Sequence, residues 1–311
     1  MQIVGLTSEN VKDYASFLTE DAAQWIGRVF SGGFVLLKED EETVAAGIIW
    51  ELESGEEDLD TDCHIISLKA VDEESAVILL DEFTQLVADM GCNRTLFELP
   101  TTLGSVEKNA LEKAGFSLET KEGRIVNIAL ADIGMALLSH KNKQDDKIKP
   151  LSEADSRLFD VAIAELDMDG IRGTCMDMAE LPMDFYEKDI SCFSEDEGDI
   201  SAMALFHKRP SGKLELNLLS NVGDSDDDPI ELLKQAVFLA EGIYAPNTKF
   251  LFDKSNANIK ELLDRFFPKA KAVQVIAGCR KEEIPESEED FDEEDIEYED
   301  EIEQEDYFDL E

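Results

Sequence analysis

The chain has 311 residues, 73 acidic and 28 basic, for a formal net charge of −45. Residues 282–311 hold 19 carboxylates and no Lys or Arg, so this segment carries −19 and the body −26. So acidic a surface repels phosphate backbones and excludes nucleic-acid binding as the main activity. No apolar run approaches the roughly 20 residues of a membrane span. Met1–Asn10 lacks a basic segment followed by an apolar core, so no secretory signal is expected and a cytoplasmic location is.

The length predicts two domains. The five cysteines, Cys63, Cys92, Cys175, Cys192 and Cys279, include no C-x-x-C pair and read as reduced, mostly buried small residues. The histidines, His64, His140 and His207, stand at no recognised ligand spacing with them, so no metal site is expected.

In chain order, an extended piece at Gln2–Leu6 precedes a helix that Ser8 would cap, running to about Leu18. Phe34–Leu37 and Val44–Leu52 read as an antiparallel hairpin and His64–Val71 as a third strand. Val77, Leu80, Phe83, Val87 and Met90 recur at three- and four-residue steps, giving a long helix that Gly91 ends. Thr95–Leu99 is a strand, Ser105 to Ala114 a short helix, and Ile125–Leu130 the last strand of the set.

The same order then repeats. Ile148–Ser152 parallels Ile3–Thr7, and a helix follows to about Leu166. Gly170–Tyr186 reads either way, a second helix broken at Pro182 being one option. Strands follow at Ile190–Phe193, Ile200–His207 and Leu214–Leu219, then a long helix with Ile230, Leu233, Val237, Ala240 and Tyr244 on one stripe. Lys249–Phe252, a helix capped by Asn256, and Ala272–Ala277 complete it. A repeat of near-constant length with matching order points to tandem duplication. The expected division is 1–138 and 147–281, with a linker at 139–146 and a disordered acidic tail at 282–311. The tail's interspersed aromatics suit docking on a basic protein surface.

This α/β pattern resembles the GNAT acyltransferase superfamily, twice over. The most specific local piece is Leu111-Glu112-Lys113-Ala114-Gly115-Phe116, similar to the family's short helix ending in Gly-Phe before the last strand. The resemblance implies a mixed sheet whose two central strands split in a V to hold acetyl-CoA or another acyl-CoA. It also implies transfer of the acyl group to an amine. Its general bases would be drawn from Glu51 and His64 in the first half and His207 and Glu215 in the second. The implied cofactor positions are Val71 and Ser75, then Gly223, Ser225 and Asn256. Asn256 is equally a helix cap.

The sequence departs from the family at those positions. Where a run such as Arg-x-x-Gly-x-Gly would hold a pyrophosphate at a helix start, the first half has Val71-Asp72-Glu73-Glu74-Ser75. The second has Gly223-Asp224-Ser225-Asp226-Asp227-Asp228-Pro229. The tyrosine that often protonates the leaving thiolate is replaced by Leu111 and Leu262. Two function classes follow: a non-catalytic binding or regulatory protein that keeps the fold without the cofactor loop, and an acyl-CoA-dependent N-acyltransferase.

Overall fold

The structure, a computed structural model, describes residues 1–39, 43–54, 61–137, 147–171, 173–174, 178–223, 225 and 227–282. The 139–146 linker, the tail from 283 onward, His140, Cys175, Asp224 and Asp226 lie outside the described residues.

The first half runs β1 (Gln2–Gly5), α1 (Glu20–Ala23), β2 (Ser31–Leu37), β3 (Val44–Ser54), β4 (Thr61–Ala70), α2 (Glu73–Asp89), β5 (Arg94–Pro100), α3 (Ser105–Lys113), β6 (Ser117–Ala129) and α4 (Leu130–Leu137). The second runs β7 (Ile148–Pro150), α5 (Ser156–Met168), β8 (Cys192–Asp196), β9 (Asp199–Lys208), β10 (Leu214–Asn221), α6 (Pro229–Ile243), β11 (Lys249–Asp253), α7 (Ala257–Phe266) and β12 (Ala272–Lys281). The long helices have the expected stripes: Leu79, Leu80, Phe83 and Val87 of α2 are buried, as are Leu233, Val237 and Ala240 of α6. Each such side chain contributes roughly 2 kcal/mol of transfer free energy. After α3, Gly115 takes φ +90° and the Phe116 N–H returns to the Leu111 carbonyl at 3.0 Å. That turn sends Phe116 edge-on against Phe97, ring centroids 5.3 Å apart.

Three local expectations are corrected. No continuous helix spans Ser8 to Leu18. Thr7 and Asn10 bond each other reciprocally, the Thr7 N–H to Asn10 Oδ1 at 2.8 Å and the Asn10 N–H to Thr7 Oγ1 at 3.2 Å. That side-chain turn competes with a helix start, and only a 3-10 turn at Val11–Tyr14 and the short α1 form. Between Gly170 and Tyr186 the described residues form two 3-10 turns, Met178–Glu180 and Met183–Phe185, with Pro182 leading into the second. The strand placed at Ile125–Leu130 is the end of the longer β6, and Leu130 already belongs to α4, which the sequence reading did not separate.

All twelve strands join one sheet, in the order β1-β2-β3-β4-β5-β12-β6-β11-β10-β9-β8-β7. The last strand of each half is thus exchanged. β12 pairs with β5 from Val275↔Pro100 to Lys281↔Arg94, and β6 pairs with β11 from Lys249↔Ala129 to Asp253↔Ile125. The two exchanged strands pair with each other at the centre. The cores follow them. Val126 and Ile128 of β6 pack in the core under α6 and α7, and Ile276 of β12 packs in the core under α2 and α3. Sequence order had assigned both strands to their own halves; an alternating apolar strand fits either slot, and the sheet places each across the centre. Cys63, Cys92 and Cys192 are buried free thiols, and burial pushes Cys92 up to about 11 and Cys192 to about 12. No helix among the described residues is long and apolar enough to cross a membrane.

Candidate functional site

Each half contains one parallel pair of strands that starts together and then parts. β4 and β5 pair from Asp62↔Arg94 to Ile65↔Phe97 and then separate, although both strands continue. β10 and β11 pair only at Leu214↔Phe250 and Glu215↔Leu251. Just past each parting point one residue bulges out of the antiparallel ladder on the other side. Ile49↔Ser67 and Trp50↔Ile65 skip Ile66, while Leu216↔Phe206 and Leu218↔Leu205 skip Asn217. A bulge bends its strand and increases the local twist, which opens the split.

The exchange of strands turns both parting points toward one central cavity of about 800 Å3. Its wall holds Glu51, His64 and Glu215, three of the four expected bases, together with Glu98, Arg124, Arg209 and Asp253. Seven carboxylates line it (Glu20, Asp21, Glu51, Glu98, Glu107, Glu215, Asp253) against Lys69, Arg124 and Arg209. Trp25, Ile66, Leu68, Leu99, Val273 and Val275 supply apolar wall.

Arg124, on the exchanged β6, organises the floor. Its guanidinium forks onto Glu53 at 2.7 and 3.0 Å, and its Nε lies 3.3 Å from Asp253 of β11. Its backbone N–H bonds Glu98 at 2.9 Å. Burial raises the Glu53 carboxyl, but the neighbouring His64 and Arg124 outweigh it and hold Glu53 below its ordinary value. Glu51, Glu53 and His64 place ligand atoms within 4.8 Å of one another. Arg124 Nη2 fills that space, 2.7 Å from Glu53, 3.4 Å from His64 Nδ1 and 3.8 Å from Glu51. A guanidinium therefore occupies the place a metal ion would take. His64 Nδ1 faces Arg124, Glu51 and Glu53, and its ring, about nine-tenths buried, faces the cavity. Arg209 forks onto Glu215 at 2.6 and 2.9 Å. Glu53 and Arg124 were missed as site residues. The alternation of β3 places Glu53 beside Glu51's face, a signal available in the sequence, whereas nothing local marks Arg124.

His207 lies apart from these groups. Its ring stacks on Phe185 at 4.0 Å, with Nδ1 3.0 Å from the Phe185 carbonyl and Nε2 2.9 Å from Gln24 Oε1. Two facing acceptors favour the imidazolium, but burial is the larger effect and holds His207 below its ordinary value. It is a fastening between the halves. α1 crosses from the first half over the cavity edge, and Asp21 also accepts from the Ser211 N–H and hydroxyl at 2.9 and 2.8 Å.

The expected cofactor positions do not fit a pyrophosphate. Asp72 caps α2, its carboxylate accepting the Ser75 N–H at 2.8 Å, and Glu73 pairs with Lys113 and accepts from Asn109. Val71 donates its N–H to Ala45. At the second helix start, Asp228 accepts the Ile230 N–H at 3.0 Å, and Asp227 accepts from Ser201 and Ser225 at 2.6 and 3.1 Å. Gly223 has φ +58°, but Glu165 Oε1 lies 2.6 Å from where a Cβ would stand, so another carboxylate covers it. Asn256 caps α7, accepting from the Ile259 N–H. Lys254, a nearby cation, is paired with Glu122 at 2.9 Å. Leu111 and Leu262 are both buried.

No protein-family model matches the sequence and no curated protein does. Solved structures match. A tandem GNAT protein from the clavulanic acid biosynthesis pathway, determined without acetyl-CoA, is similar over 91% of this chain and 98% of its own, at 10% identity and a TM-score of 0.55. A C-terminal domain assigned to a lysylphosphatidylglycerol synthetase of Agrobacterium fabrum is similar over 88% of this chain and 92% of its own, at 14% identity and a TM-score of 0.50. At such identities the likeness is one of fold. Two splayed parallel pairs, a bulge beside each, and these likenesses give the chain a GNAT fold.

Proposed function

We propose that this is a non-catalytic binding protein on the GNAT fold, which takes a cationic ligand into the central cavity and does not use acyl-CoA. The observation that carries the reading is the occupation of both helix starts by the chain's own carboxylates, Asp72 and Asp228. A helix N-terminus offers about half a positive charge, and a carboxylate already bonded there leaves little for a pyrophosphate. The cation preference follows from the lining, where seven carboxylates outnumber three bases. Glu51 lies 3.8 Å from both His64 and Arg124, so it is held less tightly than Glu53, which Arg124 grips at 2.7 Å.

Calorimetry on the full chain tests this. Acetyl-CoA should give no saturable heat, whereas 1,4-diaminobutane should bind, and 1,4-butanediol should not. Glu51→Gln and Glu98→Gln should each weaken diamine binding. Micromolar affinity for acetyl-CoA would overturn the reading. A second reading, an N-acyltransferase, is favoured by the open first split, where the Ile66 bulge and His64 both face the cavity. Release of free CoA from acetyl-CoA in the presence of the diamine would select it.

A further inference from the structure

The two splits differ in what lies against the bulge. Ile66 faces the cavity, and the segment before α1 meets its neighbours through Thr19 Oγ1 with Ser67 Oγ at 3.4 Å and Lys69 Nζ donating to the Phe17 carbonyl at 2.9 Å, neither of them a bond between two main chains. Asn217 is covered by main chain. The Thr174 N–H donates to the Asn217 carbonyl at 2.9 Å, and Asn217 Nδ2 donates back to Thr174 Oγ1 at 2.6 Å. The approach is close enough that a Cβ on Gly173 would stand 2.2 Å from the Asn217 carbonyl oxygen, and Gly173 has φ +62°. Only glycine tolerates both conditions. The end of α5 delivers the segment there. Gly170 takes φ +74°, and the Ile171 N–H returns to the Leu166 carbonyl at 2.8 Å, turning the chain toward β10. From the other flank Asn258 of α7 bonds the Leu219 carbonyl at 3.3 Å.

We infer that Gly173–Thr174 is a resident main-chain occupant of the second split, so that ligands enter the first half alone unless these residues are released. The inference deepens the proposed non-catalytic role and rests on it for its meaning. Its physical basis is that parted strands expose main-chain donors and acceptors, and such groups are satisfied by another main chain in preference to being left bare. Here the chain supplies that partner itself, as a turn whose Thr174 N–H meets the Asn217 carbonyl.

Amide hydrogen exchange on the full chain is the test, with pantetheine, an extended molecule with two amides, as the binding probe. In the wild type Thr174 N–H should exchange at least about 100-fold more slowly than an unstructured amide. Gly173→Val should abolish that protection and speed exchange at Leu218 and Ser220, with β4 amides unchanged, and should add pantetheine binding beyond that at the open first split of the wild type. If β4 protection is lost as well, the Val variant has misfolded. Thr174→Val then carries the test: it removes the hydroxyl partner of Asn217 and should speed Thr174 exchange by roughly tenfold. Unprotected Thr174 in the wild type, or equal pantetheine binding in wild type and Gly173→Val, would overturn the inference. Acetyl-CoA binding by a wild type whose Thr174 stays protected would defeat the non-catalytic reading and uphold the closure.

Discussion

The first and second splits share a skeleton and differ in what fills it. Both consist of a parallel pair that parts after a few residues, with a bulge at Ile66 in one and at Asn217 in the other. In the first the protein contributes Glu107 of α3, whose carboxylate reaches across to accept the Ala70 N–H at 3.0 Å. In the second a backbone segment, Gly173–Thr174, covers the bulge residue. One half thus has a single side chain bridging the wide end and leaves its bulge open to the cavity, while main chain covers the bulge in the other. Core packing enforces the strand geometry that both halves share, whereas the loops that fill it are free to differ.

The largest effect expected along this comparison lies at the seam. Arg124 binds Glu53 of the first half and Asp253 of the second, and all three side chains are less than a third exposed. Arg124→Met leaves both carboxylates uncompensated and should destabilise the protein by about 3 kcal/mol, read from the urea midpoint. Because β6 and β12 tie the halves, unfolding should remain a single transition. Two separated transitions in the wild type would break the picture of a mutually completed sheet.

Glu107→Ala sharpens the contrast between the splits. It leaves the half-buried Ala70 N–H without its carboxylate and should cost about 1 kcal/mol, while Glu107→Gln, which keeps an acceptor, should recover most of it in a thermal melt. Should both variants melt alike, the bond to Ala70 is not what holds the first split. A change of similar size, about 1 kcal/mol, is expected for His207→Ala, which removes the ring stacked on Phe185 and its two polar contacts.

The pH dependence separates the two halves by window. His207 has a lowered value when folded, so its neutral form is the folded-state preference. Its contribution is full above 6.5 and is lost as pH falls from there. Glu53 is also lowered, and its contribution is full above 4.5 and lost as pH falls through its folded value. Stability should therefore drop in two stages on acidification, the first absent in His207→Ala and the second in Glu53→Gln. The smallest effect is expected at the exposed pair Lys188–Asp184, where Lys188→Ala should shift stability by no more than about 0.5 kcal/mol.

Much of this was legible from local signals. Asn256 is the helix cap that its position suggested; Asp72 and Asp228, read from the sequence as acidic helix starts, prove to be caps as well, and each of the three accepts a backbone N–H of the first turn. Glu51, His64 and Glu215 were singled out from three strands and do share one cavity; His207 does not, since it turns toward Phe185 and Gln24. The helix expected from Ser8 failed because Thr7 and Asn10 satisfy each other's backbone.

What the sequence determined by itself is therefore what short-range chemistry can encode: the order of most elements, the Asn256 cap, the buried stripes of α2 and α6, and the acidic character of both helix starts. Only the tertiary structure decided which last strand closes which half, that Arg124 meets Glu53 and Asp253, and that Thr174 lies on Asn217. Periodicity and capping act over a few residues, so they are written in neighbouring letters. Strand partnership is chosen by through-space burial and backbone pairing among segments of similar pattern, and β6 reads the same whether it lies beside β5 or β11.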